Sequence, residues 1–123
     1  MREILFRGRE IENNTWAVGS YIGGLYDVNL IMSLLGDDYE IKKETLGQYI
    51  GIKDKNNILV FEDDILETDD YIGWVYYNEE NTCFSLKYYD MHNEVYEVSL
   101  SGLENVEVIG NIHDNPELLG REK

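Results

Sequence analysis

Apolar residues along this chain recur mainly at alternate positions, in short runs broken by Asn, Asp and Gly, and that period predicts strands rather than helices. Ile4 and Phe6 alternate with Leu5 and Arg7 and predict a first short strand; a turn at Asn13-Asn14 leads to a second over residues 16–22, closed by Gly23-Gly24. Residues 26–35 carry two periods at once. Val28, Ile31, Met32 and Leu35 fall at helical spacing, whereas Tyr26, Val28, Leu30, Met32 and Leu34 fall at strand spacing, and the strand is the preferred reading. Gly36-Asp37-Asp38 predicts a turn, residues 39–41 a short strand, and residues 53–57 a polar turn.

The second half repeats the pattern more regularly. Runs at 71–77, 83–89, 94–100 and 106–112 are separated by Asn78-Glu79-Glu80-Asn81, Asp90-Met91-His92-Asn93 and Ser101-Gly102, and a short strand at Ile65-Leu66 precedes them. Short strands at this spacing argue for a small barrel or sandwich. The order, an acidic turn followed by a Gly-Trp-Val strand and three more strands on tight turns, is similar to an SH3-type barrel. The expected fold is therefore mainly β: a small SH3-type barrel over 58–112, additional N-terminal strands from 1–57 packed beside it, and a C-terminal tail, 113–123. Phe84, Leu86 and Tyr88 should share one strand face, as should Val106, Val108 and Ile112. Trp74 is expected to be buried, and Asn115 with Pro116 to cap and open one helical turn.

Composition agrees with strands: ten Tyr, two Trp and three Phe stand against one Pro in 123 residues. No apolar run approaches a bilayer span, the N-terminus lacks a signal peptide's apolar block, and a lone cysteine, Cys83, has no internal disulfide partner. These features lead us to expect a cytoplasmic protein. The net charge of −15 changes the picture more, because it is unevenly placed. Residues 1–55 hold nine acids and seven bases, whereas residues 56–120 hold fifteen acids and Lys87 alone. Such a half repels phosphates and anionic lipid, which argues against direct nucleic-acid or membrane binding. Arg2, Arg7, Arg9, Lys42, Lys43, Lys53 and Lys55 are too interspersed with acids to form a nucleic-acid patch. They could face the acidic half of another copy.

Three segments carry a more specific signal. The central one runs Leu46-Gly47-Gln48-Tyr49-Ile50-Gly51-Ile52-Lys53-Asp54-Lys55-Asn56-Asn57 and continues through Ile58 to Phe61-Glu62-Asp63-Asp64-Ile65-Leu66; it is flanked by Met1-Arg2-Glu3-Ile4-Leu5-Phe6-Arg7-Gly8 and by residues 106–119, which contain Gly110-Asn111-Ile112-His113-Asp114-Asn115-Pro116. Together they resemble the signature of the YopX-like family of small phage and prophage proteins, in which the SH3-type barrel is also expected. The resemblance implies a structural signature of Gly47, Gln48, Gly51, Asp54, Asp64, Trp74, Gly110, Asn111 and Pro116. Where that family usually has Gly, this chain has Asn57 and Asp63, and Thr is replaced by Ile50. Asparagine tolerates the left-handed backbone, so the 53–57 turn should survive; Gly at the place of Asp63 suggests that a tight turn is what the position requires.

Candidate chemistry is sparse. Glu62, Asp63, Asp64, Glu67, Asp69 and Asp70 could in principle hold a hard divalent cation, but they lack EF-hand spacing and alternate across strand faces. Asp64 is expected instead to fix its turn by accepting backbone N–H groups. His92 and His113 have no partner in their local sequence and read as surface turn residues. Cys83 has no basic neighbour to activate it, and no zinc ligand set exists. The 47–51 glycine segment lacks the lysine and spacing of a phosphate loop; its glycines are expected to allow a bulge or close backbone approach. No cofactor or metal and no catalytic residue is expected. The leading expectation is a non-enzymatic protein-interaction module, with a basic host or phage partner and a homo-oligomer possible through the aromatic strand 16–21. The alternatives are an acidic nucleic-acid mimic that occupies a basic host protein, and a metal-dependent hydrolase using the 62–70 carboxylates.

Overall fold

In the computed structural model, which describes residues 4–25, 27–101, 103 and 105–120, the chain is mainly β, with two antiparallel sheets and two short 3-10 turns but no α-helix among those residues. It divides into two compact units, residues 1–51 and 52–123. No helix among the described residues is long and apolar enough to cross a membrane.

The first unit is built from β1 (Phe6–Arg9), β2 (Trp16–Leu25), β3 (Val28–Met32) and β4 (Asp38–Glu40), followed by a 3-10 turn at Lys43–Thr45 and the larger part of β5 (Gly47–Lys53), whose last two residues fall in the second unit. The strands lie in the order β4-β3-β2-β1-β5, and the order continues beyond the 54–58 turn to β6 (Leu59–Phe61). Ala17, Ile31 and Ile41 are buried, with Phe6, Tyr21, Tyr39 and Leu46 packed on them. Strand spacing prevails over helical spacing in residues 28–32; beyond them the chain turns at 33–37 and leaves Leu34 and Leu35 exposed. Tyr26, expected in this strand, lies outside the described residues, as do Arg2 and Gly102. Gly23-Gly24 do not close β2, which runs on to Leu25 through a register shift between Ile22 and Leu25.

In the second unit β7 (Asp64–Glu67), β8 (Ile72–Asn78), β9 (Cys83–Tyr89), β10 (Val95–Ser99) and β11 (Glu107–Asn111) form a sheet ordered β10-β9-β8-β7-β11. Its centre is fully buried: Ile65 and Leu66 on β7, Val75 on β8 and Leu86 on β9. The sheet is open, with β10 and β11 at its edges, so the closed SH3-type barrel expected over 58–112 is not found among the described residues. Residues 59–61, counted toward that barrel, belong to the other sheet as β6 beside β5.

Two expectations about strand faces are also corrected. Gly73 and Val75 are buried and pair with Leu66, Tyr88 and Leu86, so alternation sends Trp74 to the opposite face. There it is half-buried, its ring 5.2 Å from that of Tyr89. Trp74→Ala should therefore cost less than the roughly 3–5 kcal/mol of a fully buried aromatic, about 1–2 kcal/mol by urea denaturation. A loss above that range would show the indole to be a core anchor. In β11 an extra residue between Val108 and Gly110 shifts the register, and Ile112 falls out of phase with Val106 and Val108.

Candidate functional site

Asp54, a residue only 5% exposed, begins the polar turn after β5, and its carboxylate is used entirely on backbone. Oδ1 accepts the N–H groups of Asn56 and Ile58, both at 2.8 Å, and Oδ2 accepts that of Val108 at 3.0 Å, across 54 positions of sequence. The Lys55 N–H donates to the Val106 carbonyl at 2.9 Å, so the turn is tied to the start of β11 by two bonds. Burial by itself would raise the Asp54 pKa. The N–H groups of Val108, Ile58 and Asn56, helped by the Lys55 charge, outweigh burial and hold the carboxyl below its ordinary value. Asn57 adopts φ 67°, the left-handed conformation expected where the family pattern has glycine.

The acidic turn is built in the same way. Asp63 has φ 76°, and the fully buried Asp64 accepts the Phe61 N–H through Oδ2 at 2.8 Å. Asp64 stands opposite Asn111 in the β7–β11 register. The Asn111 Oδ1 accepts the N–H groups of His113 and Asp114 (3.0 and 2.9 Å), while its Nδ2 donates to Asp114 Oδ2. Gly110 gives room for this turn: a Cβ there would lie 2.6 Å from the Asn115 side-chain oxygen. Pro116 opens the 3-10 turn Pro116–Leu119, as expected, but Asn115 makes no side-chain cap; its oxygen accepts the Asn111 N–H instead.

The structure thus brings Asp54, Asp64, Gly110, Asn111 and Pro116 into one region of the second unit. Gly47 and Gln48 pair with Arg7 and Phe6 in the first unit, and Gly51 takes φ 94°, open to glycine alone without strain. His113 is not a plain surface residue. Its Nε2 lies 3.1 Å from Asp63 Oδ2, both side chains being 22% exposed, and the Ile112 N–H donates to the Asp63 carbonyl at 2.9 Å. Local sequence could not supply this partner, which is 50 residues away. His92 is exposed, and Cys83 is exposed with its sulfur 3.8 Å from the Ser85 hydroxyl. The 62–70 carboxylates are split by β7, whose four residues set Glu62-Asp63-Asp64 roughly 10 Å or more from Asp69-Asp70. Among the described residues no three His, Cys, Asp or Glu side chains converge as a metal site.

A second feature of this unit was not legible in the sequence. The β7–β8 turn, the β9–β10 turn and the C-terminal 3-10 turn border an open groove of about 580 Å³. Tyr71 and Tyr88 stack in its wall with ring centroids 4.1 Å apart and planes 5° from parallel, and Tyr88 stacks in turn on Tyr96. Leu118 and Leu119 supply apolar surface, and the highly exposed Met91 stands at the rim. Glu67, Asp69, Asp70 and Asp90 line the same groove, and among the described residues no Lys or Arg does. The turns are internally fixed: Thr68 Oγ1 accepts the N–H groups of Asp70 and Tyr71 at 3.1 Å, and Asp90 Oδ1 accepts those of His92 and Glu94. Burial, with Tyr88 and the Asp70 charge, pushes the Tyr71 phenol up, so it stays neutral; the Glu94 N–H bond leads those that hold the Asp90 carboxyl down. The groove therefore presents uncharged aromatic faces beside carboxylate side chains. The first unit carries cations on an aromatic, the guanidinium carbons of Arg7 and Arg9 lying 4.2 and 4.1 Å from the Trp16 ring.

A protein-family model described as YopX protein matches residues 6–120. No curated protein matches the chain.

Proposed function

The chain belongs to the YopX protein family, the match taking in nearly all of both units, and from that premise we propose that it is a non-enzymatic protein-interaction module of phage or prophage origin that acts in the bacterial cytoplasm. The observation that carries this reading is how the polar groups are used. The signature residues Asp54, Asp64 and Asn111 turn their oxygens onto backbone N–H groups, which makes them builders of turns, while the outward chemistry is the tyrosine and carboxylate groove. Stacked tyrosines are good interface anchors, and a surface this acidic favours a basic partner. The charge placement also favours a second reading, in which fifteen acids over residues 56–120 mimic nucleic-acid phosphates and occupy a basic host protein.

Capture with a tagged full-length chain, followed by kinetics on the purified complex, tests both. The module reading expects one defined protein partner, retained at about 150 mM salt near the Debye length of 8 Å, with an association rate that falls as salt rises. A mimic would be displaced by duplex DNA competing for the partner's basic surface. Recovery of no specific protein, or turnover of a phosphoester substrate lost in Asp64→Asn with the fold intact, would sink the module reading.

A further inference from the structure

We infer that the groove takes an arginine-bearing segment of the partner, the guanidinium lying against the tyrosine wall and within reach of Asp69 and Asp70, with a neighbouring apolar residue on Leu118 and Leu119. This deepens the module reading and rests on it. Charge complementarity selects the occupant. Four carboxylates line the groove with no Lys or Arg among the described residues that border it, and those of Asp69 and Asp70 accept no hydrogen bond among the described residues, whereas Asp90 holds its own turn. A phosphate, a carboxylate ligand or an acidic peptide would be repelled. A bare metal ion would need converging oxygens, which the described residues of this groove do not bring together.

Among cations, arginine fits best. Its guanidinium is flat, is more weakly hydrated than an ammonium, stacks on aromatic faces and can donate a fork of N–H bonds to a carboxylate. Tyr71 stays neutral, so its ring presents an uncharged face. Leu118, Leu119 and Ile72 then offer apolar area that a free metal or a polyamine could not use, and that area calls for a peptide with a leucine or similar residue beside the arginine.

Titration of the full chain with capped leucine–arginine hexapeptides tests the assignment, followed by isothermal calorimetry and by tyrosine ring signals in NMR. The arginine peptide should bind about tenfold or more tightly than the same peptide with citrulline, and the Asp69→Asn/Asp70→Asn variant should lose about tenfold with its melting temperature unchanged. Tyr71→Leu should erase the preference for arginine over a lysine peptide. Equal binding of the citrulline peptide, or unchanged binding by the double variant, would overturn the proposal. So would equal affinity for spermidine, which reports charge without a site, or a dimer of the wild-type chain that the double variant abolishes, which would make a second copy the occupant. A captured partner retained unchanged by the double variant removes the groove and leaves the module reading; peptide binding as expected without any captured protein removes the module reading alone.

Discussion

Asp54→Ala should destabilise the protein by roughly 2–4 kcal/mol, because one substitution strips three N–H donors of a charged acceptor. Two of those donors, on Asn56 and Ile58, sit in an exposed turn and can turn to water, which limits the loss. The third, on Val108, ties the turn to β11 and has no such ready replacement. Urea denaturation measures the total, and hydrogen exchange at the Val108 amide measures its local part. A change under about 0.5 kcal/mol, the size of an ordinary surface substitution, would remove Asp54 from its role. The same bonds set a pH dependence. The folded carboxyl titrates below its ordinary value, so its stabilisation is present above the unfolded pKa and is lost as pH falls through the lower folded value. Asp54→Asn should flatten the acid limb of the stability curve below about pH 4 and leave its slope above about pH 5 unchanged.

Leu86→Ala should cost about 2–5 kcal/mol, the range for a large aliphatic removed from a packed interior. Leu86 has no exposed surface; it pairs with Val75 on one side and Val98 on the other, in an inner strand of the five-stranded sheet. Neighbouring strands hold the backbone by ladders on both sides, so the vacated volume cannot readily collapse. Phe84 on the same strand face is only half-buried and should lose less when truncated. Equal losses at the two positions, by thermal and chemical denaturation, would mean that the core is centred elsewhere along β9.

The features that were legible in the sequence are those fixed by neighbours a few residues apart. Alternation located β8 and β9 because both have an inward and an outward face, and the left-handed turns at Asn57 and Asp63 were legible because few residue types tolerate that backbone. Asp64 was also readable, since its target lies three residues away. Burial of Trp74 was misread because period-2 alternation tells which residues share a face but not how far along that face the cover extends: Ile65, its cross-strand partner, is fully buried while Trp74 is half-buried. The barrel failed for a related reason: nothing local in residues 59–61 says whether they join the sheet of β7 or that of β5. The His113–Asp63 pair and the groove were beyond reach altogether. One joins positions 50 apart, and the other is assembled from three turns whose tyrosines and leucines carry no common spacing.

The bonds from Asp54 to Val108 and from Lys55 to Val106 have a consequence for the order in which the second unit can form. They close a loop of 54 residues, and the entropy of bringing such distant points together, on the order of 3–4 kcal/mol, is met before any of those contacts is gained. Hairpins β7–β8 and β8–β9 can form as soon as their residues leave the ribosome. The buried carboxylate and the outer edge of β7 must wait until β11 has been synthesised. A nascent chain halted before residue 106 therefore carries an unpaired β7 edge and an Asp54 carboxylate that lacks only its Val108 donor, and the open edge makes it a species exposed to proteases and to edge-to-edge aggregation.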